Sequence, residues 1–192
     1  MVEFHPLIPD RWDAFADLFE SDGITRGCWC LWWRVSARGW REDDAAGRRS
    51  AFRAAVEDGP APGIVAMDGG RAVGWVQATP RAAVPRFNGA RTGRPVAGTD
   101  PERVWALTCF FVRKSHRGTG LMTALAEAAC RHAAAQGATA VEAAPIAPNR
   151  ELVWGEGYVG IAPALARAGF AEVERRTPRR PLMRWTPEGA PA

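Results

Sequence analysis

A chain of 192 residues, 47% of them hydrophobic, is long enough to bury a sizeable core as one domain, and its composition argues against disorder. No stretch approaches the ~18 apolar residues of a membrane span. The opening Met1-Val2-Glu3-Phe4-His5-Pro6 holds no apolar segment of signal-peptide length, so the chain reads as cytoplasmic. The net charge is +4, and every basic residue but Lys114 is arginine; this suits an anionic small ligand, and the lack of a dense basic run sets nucleic acid aside.

Residues 10–20 place Trp12, Phe15, Leu18 and Phe19 at helical spacing, with Asp10 as N-cap and Gly23 as the stop. Then comes Gly27-Cys28-Trp29-Cys30-Leu31-Trp32-Trp33-Arg34. Four of the nine tryptophans, Trp29, Trp32, Trp33 and Trp40, crowd into residues 29–40. Two readings stay open for them: core packing under a helix, or the wall of a binding pocket. A second helix is predicted over 41–57, with Asp43 and Asp44 near its start in keeping with the helix dipole. Gly59-Pro60-Ala61-Pro62 ends it.

A hairpin is predicted next: residues 63–67, a turn at Asp68-Gly69-Gly70, and residues 72–78. The proline- and glycine-rich stretch 79–101 reads as a loop carrying Arg81, Arg86, Arg91 and Arg94. It is either a solvated surface connection or a flap whose arginines meet an anion. Strands are expected over 104–112, 139–146, 171–175 and 182–185, and helices from Leu121 to a stop at Gly137 and over 161–168. Residues 147–158 form a polar connection with Asn149, Trp154, Glu156 and Tyr158, and 187–192 a loose tail. One domain over 1–186 accounts for the whole.

The stretch 104–123 carries the clearest chemistry. An apolar strand turns through Arg113-Lys114-Ser115-His116-Arg117-Gly118-Thr119-Gly120 into a helix at Leu121. The first amides of a helix have no internal partner and carry the positive end of its dipole. Two glycines let the backbone approach a phosphate closely, and Arg113, Lys114 and Arg117 add positive charge. His116 reads as a loop or phosphate contact.

Arg117-Gly118-Thr119-Gly120-Leu121-Met122 resembles the Arg/Gln-x-x-Gly-x-Gly/Ala loop of the GNAT superfamily of N-acetyltransferases. Arg117 and Gly120 match; Met122 stands where the family has a small residue. A helix ending in Gly169-Phe170 is a second, independent family feature, and the order of elements agrees. The resemblance implies an α+β fold with a central mixed, mostly antiparallel sheet, split at the Val104–Val112 strand and flanked by helices. It implies acetyl-CoA as acyl donor, its pantetheine arm along Phe110, Phe111 and Val112 and its pyrophosphate on Arg117, Gly118, Thr119, Gly120, Leu121, Met122 and Thr123. The acceptor, a small amine, would lie against Cys28, Trp29, Trp32 and Trp33. A homodimer is compatible with it.

The family often uses a tyrosine four residues before that glycine as general acid, but this position is Leu165. Tyr158, two helical turns earlier, is the remaining candidate, and Glu142 and Glu156 are candidate bases. No metal is expected, since Cys28-Trp29-Cys30 lacks a second cysteine pair. Cys109 and Cys130 read as buried thiols, with no base beside Cys109 to make it a nucleophile. A CoA-binding regulatory module without turnover and a peptide N-acetyltransferase remain alternatives.

Overall fold

A computed structural model describes residues 1–20, 27–153 and 155–188. Its centre is a seven-stranded sheet in the order β1-β2-β3-β4-β5-β7-β6. The strands are β1 (Glu3–Pro6), β2 (Gly63–Asp68), β3 (Arg71–Pro80), β4 (Val104–Val112), β5 (Ala140–Ala143), β6 (Ala171–Thr177) and β7 (Arg180–Trp185). Among these strands, only β4 and β5 pair in parallel; the other neighbours are antiparallel. This is the expected mixed α+β sheet.

The helices are α1 (Trp12–Glu20), α2 (Ala37–Glu42), α3 (Ala45–Asp58), α4 (Pro85–Gly89), α5 (Leu121–Ala135) and α6 (Ala162–Arg167). Alternation along β3 and β4 sorts the core into two faces. Val73, Val76, Ala78, Leu107 and Phe110 pack with α5 and with Leu165 of α6. Val65, Ala72, Trp75 and Phe111 pack with the aromatic faces of α1 and α3. Fully burying an aliphatic or aromatic side chain is worth about 1.5–3 kcal/mol, so the α5 stripe of Leu121, Leu125, Ala128 and Ala129 ties the glycine turn rigidly to the sheet.

The hairpin forms as expected because Gly69 and Gly70 adopt the positive φ values, 54° and 79°, that such a turn requires. Other boundaries differ. β1 was not foreseen; too short and polar to be seen alone, it is held by pairing with β2. Asp10 sits inside a 3-10 turn (Pro9–Arg11) rather than capping the first helix, and Gly23 lies outside the described residues. The helix expected over 41–57 is two helices. Ser36 caps α2 by accepting from Gly39 N at 3.0 Å, and Asp44 caps α3 by accepting from Gly47 N at 2.8 Å. The strand expected to reach Ile146 stops at Ala143.

Residues 79–101 depart most from expectation. Arg81 begins a 3-10 turn, α4 follows, and Arg81 and Phe87 are buried. The connection is pinned by a charge pair that cannot be read locally: Arg81 Nε donates to Glu142 Oε2 at 2.8 Å. Trp154 and residues 189–192 lie outside the described residues. Among the described residues, no helix is long and apolar enough to cross a membrane.

Candidate active site

β4 ends at Val112, a 3-10 turn spans Lys114–His116, and α5 begins after Gly120. Gly118 and Gly120 take φ values of 77° and 85°, and a Cβ at either would meet nothing within 4 Å. Glycine is needed there for the left-handed backbone, and the space beside it stays open. Among the described residues, no side chain caps α5. The amides of Leu121, Met122 and Thr123 precede the first internal bond, from Ala124 N to Gly120 O at 3.2 Å, so they face outward. Arg117 is exposed beside them, its Nε donating to Val112 O at 3.0 Å.

Arg113, expected to serve the same loop, is turned elsewhere: it donates to Ala72 O and pairs with Asp17 at 2.6 Å. His116 faces Asp68 across the hairpin turn at 3.4 Å. This contact and the Met1 amino group hold the Asp68 carboxyl below its usual range. Thr119 Oγ1 donates back to His116 O, tightening the loop. Thr123 Oγ1 donates to Ala164 O and fastens α6 to α5.

The sheet opens just beyond this loop. β4 pairs with β5 only from Val104 to Leu107, while β4 itself runs on to Val112. After β5 the chain turns away, and Ile146 bridges Ile161 at the start of α6 instead. A cavity of about 290 Å³ runs between the glycine loop and α6, touching Gly118, Gly120, Met122 and Arg167. A second of about 290 Å³ continues along Phe110, Phe111 and Val112 to Tyr158. They share Val112, Arg117, Met122 and Ile161 and so make one cleft. Met122, the departure from the family pattern, forms part of its wall. α6 and Leu152, Val153, Gly155 and Gly157 also contribute, and sequence reading had no signal for them.

Tyr158 lies on this cleft. A 3-10 turn (Glu156–Val159), bracketed by Gly155 and Gly160 at φ 84°, stacks its ring on Phe111 with centroids 6.3 Å apart. Leu165 is fully buried among α5-side residues.

The two carboxylates have other work. Glu142 is fully buried; Oε2 accepts from Arg81 and Oε1 from Arg184 at 2.6 Å. Both carboxylate oxygens are occupied by guanidinium groups. Glu156 pairs with Arg179 and Arg150, each at 3.0 Å, and accepts from Val153 N. Arg179 first, then that amide, hold its carboxyl below the usual range, which makes it a poor base near neutrality.

The tryptophan segment divides. Trp29 is core, stacked on Trp12 and Phe19. Trp29 and Cys30 both have positive φ, 45° and 57°, a conformation costing about 1–3 kcal/mol per residue. Aromatic packing and the Trp75 Nε1–H bond to Cys30 Sγ at 3.0 Å hold it. That bend brings Cys28 and Cys30 to an apolar cavity of about 80 Å³, shared with Cys109, Phe111 and Tyr158. Burial, then the neighbouring Cys109, push the Cys28 thiol up to about 11. Trp32 is exposed, with the Arg86 guanidinium over its ring at 3.5 Å, and Trp33 meets Phe87 edge-on. Only Cys28 of the four expected acceptor residues therefore touches the cavity next to Tyr158. Among the described residues, no three potential metal ligands stand together.

Residues 28–153 match the Acetyltransferase (GNAT) family. The fold is similar to the GNAT domain of S. lividans PAT, at 15% identity and TM-score 0.56 over 96% of this chain and 90% of that one. It is similar to the aminoglycoside acetyltransferase AAC(6')-Ib in complex with coenzyme A, at 16% identity and TM-score 0.57 over 97% and 95%. An N-acetyltransferase from Staphylococcus aureus Mu50 gives 12% identity and TM-score 0.56 over 97% and 98%. No curated protein matches in sequence.

Proposed function

Because the chain belongs to the GNAT family of acetyltransferases, we propose that it moves an acetyl group from acetyl-CoA directly to a primary amine of a small molecule. The observation that carries this is the single cleft from the outward-facing amides of α5 along β4 to Tyr158. The glycine loop fits a pyrophosphate: it offers free amides and open space where a Cβ would intrude. Arg117 and, from α6, Arg167 stand beside it.

In the transfer, the amine nitrogen bonds to the acetyl carbon as the carbon–sulfur bond breaks. The bonding pair leaves on sulfur, and the nitrogen gives up a proton. Backbone amides of β4 near Phe111 would stabilise charge on the carbonyl oxygen, an effect of roughly 3 kcal/mol for one donor. Tyr158 is the group positioned to protonate the departing thiolate. Burial in the Arg81–Arg184 pair removes Glu142 as a base, and ion pairing disfavours Glu156. The amine then loses its proton to water, and for an amine of pKa ~10.4 this costs roughly 4–5 kcal/mol at pH 7. Positioning supplies most of the acceleration.

Thiol release from acetyl-CoA, with mass spectrometry of the products, tests the reading across a panel of small amines. Amine-dependent release with an N-acetylated product is expected. Tight acetyl-CoA binding with no acetylation of any amine would refute it.

A further inference from the structure

Buried polar atoms nearly always find partners, and those that do not call for an explanation. Trp75, Gln77 and Thr79 share the face of β3 that lies under α1 and α3, since Val76 and Ala78 belong to the opposite face. Gln77 and Thr79 are 0% and 3% exposed. Opposite them β4 bulges: Val76 pairs with Phe110 and Ala78 with Leu107, which leaves Thr108 and Cys109 facing Gln77 alone. Gln77 Nε2 donates to Thr108 Oγ1 at 2.6 Å. Yet Gln77 Oε1 and Thr79 Oγ1 have no hydrogen-bond partner among the described residues.

Thr79 lines a cavity of about 390 Å³ together with Arg34, the residue that follows the tryptophan pair. Nη1 of Arg34 is also buried and unpartnered among the described residues. Asp58 and Glu102 line the same cavity, and neither supplies an acceptor to that atom. Burial lowers the Arg34 pKa, as expected for a desolvated cation. Arginine stays protonated in proteins, so Nη1 is a buried cationic donor with no acceptor among the described residues. A planar guanidinium and a hydroxyl on the wall of one cavity match a carboxylate.

The cavity shares no lining residue with the cleft, and the spacing of residues along β3 sets how far apart the two lie. Trp75 pairs with Phe111, and Thr79 lies four residues further along β3, roughly 13 Å at 3.3 Å per residue. Allowing ~3 Å for the attacking amine and ~3 Å for a hydrogen bond at the other end leaves about 7 Å for the molecule between them. A chain of four methylenes spans that gap.

We propose that the acceptor is an amine bearing a carboxylate at its far end, with Arg34 and Thr79 holding the carboxylate while the amine reaches the Phe111 end of the cleft. This rests on the acetyl-transfer reading above. Arg34 is a specificity-determining residue and takes no part in bond-making. The amine and the acetyl thioester become one N-acetyl amide and one free thiol, with the nitrogen's proton balancing the sulfur.

Near-isosteric pairs test it: 5-aminopentanoate against 5-aminopentanamide, and lysine against lysinamide, each with acetyl-CoA. The parent is expected to prefer each acid tenfold or more in kcat/KM, mostly through KM. Arg34→Gln abolishes the preference, Arg34→Lys keeps part of it, and Thr79→Val reduces it. Circular dichroism checks that each variant folds. Equal use of acid and amide by the parent overturns the proposal and leaves acetyl transfer standing, as does a preference that survives Arg34→Gln. Calorimetry with CoA present reads binding of the same four compounds without chemistry. If none is acetylated, Arg34-dependent binding of the acids alone still supports the site; no such binding overturns it.

Discussion

Arg81 and Glu142 lie 61 residues apart and meet at 2.8 Å with neither side chain exposed. Arg81 also donates to Gly93 O and Asn88 Oδ1, and Arg184 takes the other carboxylate oxygen. The triad ties the connection after β3 to β5 and β7. Removing one partner of a buried pair typically costs about 3–5 kcal/mol, because the other charge is left stranded. Glu142→Gln should therefore lower the urea midpoint strongly. Arg81→Met with Glu142→Leu should recover much of that loss. In Glu142→Gln, any fall in activity should follow the folded fraction, without a shift in the pH–rate profile.

Charge at the glycine loop is the next test. Arg117 is exposed, so Arg117→Glu should change stability by no more than about 0.5 kcal/mol. Its acetyl-CoA Kd by calorimetry should rise tenfold or more, since the charge beside the diphosphate is reversed. Gly120→Ala should cost about 1–2 kcal/mol of stability through its φ of 85° and weaken binding as well. Arg113→Gln should leave Kd near the parent's, because Arg113 faces Asp17 and Ala72.

Tyr158→Phe keeps the ring that stacks on Phe111 and removes only the hydroxyl. Steady-state kinetics should show kcat reduced about a hundredfold, as for loss of a general acid, with KM for acetyl-CoA little changed. Unchanged kcat would assign Tyr158 to packing.

For Glu156, the pKa is depressed by Arg179, the Val153 amide and Arg150. A depressed folded pKa means stability that is present above the usual glutamate value near 4.5 and is lost as pH falls through the lower folded value. The stability gap between the parent and Glu156→Gln should thus be open at pH 7 and close on acidification. Over pH 6–9, kcat/KM should rise with the neutral fraction of the amine in both proteins; loss of an acidic limb in the variant would make Glu156 a base after all.

Local backbone devices were legible because a few neighbouring residues encode them. The hairpin turn at Gly69-Gly70, the strand of 104–112, the glycine loop and the apolar stripe of α5 each follow from short-range rules about φ, periodicity and unpaired amides. The same is true of Asp44 near a helix start, although nothing local separated α2 from α3.

The side chains that choose an acceptor and move protons were decided by tertiary structure. A carboxylate is a base or a counter-ion according to what surrounds it, and Glu142 met two arginines from 61 and 42 residues away. Tyr158 reached Phe111 because two left-handed glycines bend the chain, not because of its spacing from Gly169. Arg34 looked like one arginine among many. Its desolvation beside Thr79 appears only once β3 and the tryptophan segment pack together, since burial and the loss of hydration are properties of the folded assembly rather than of any short stretch of chain.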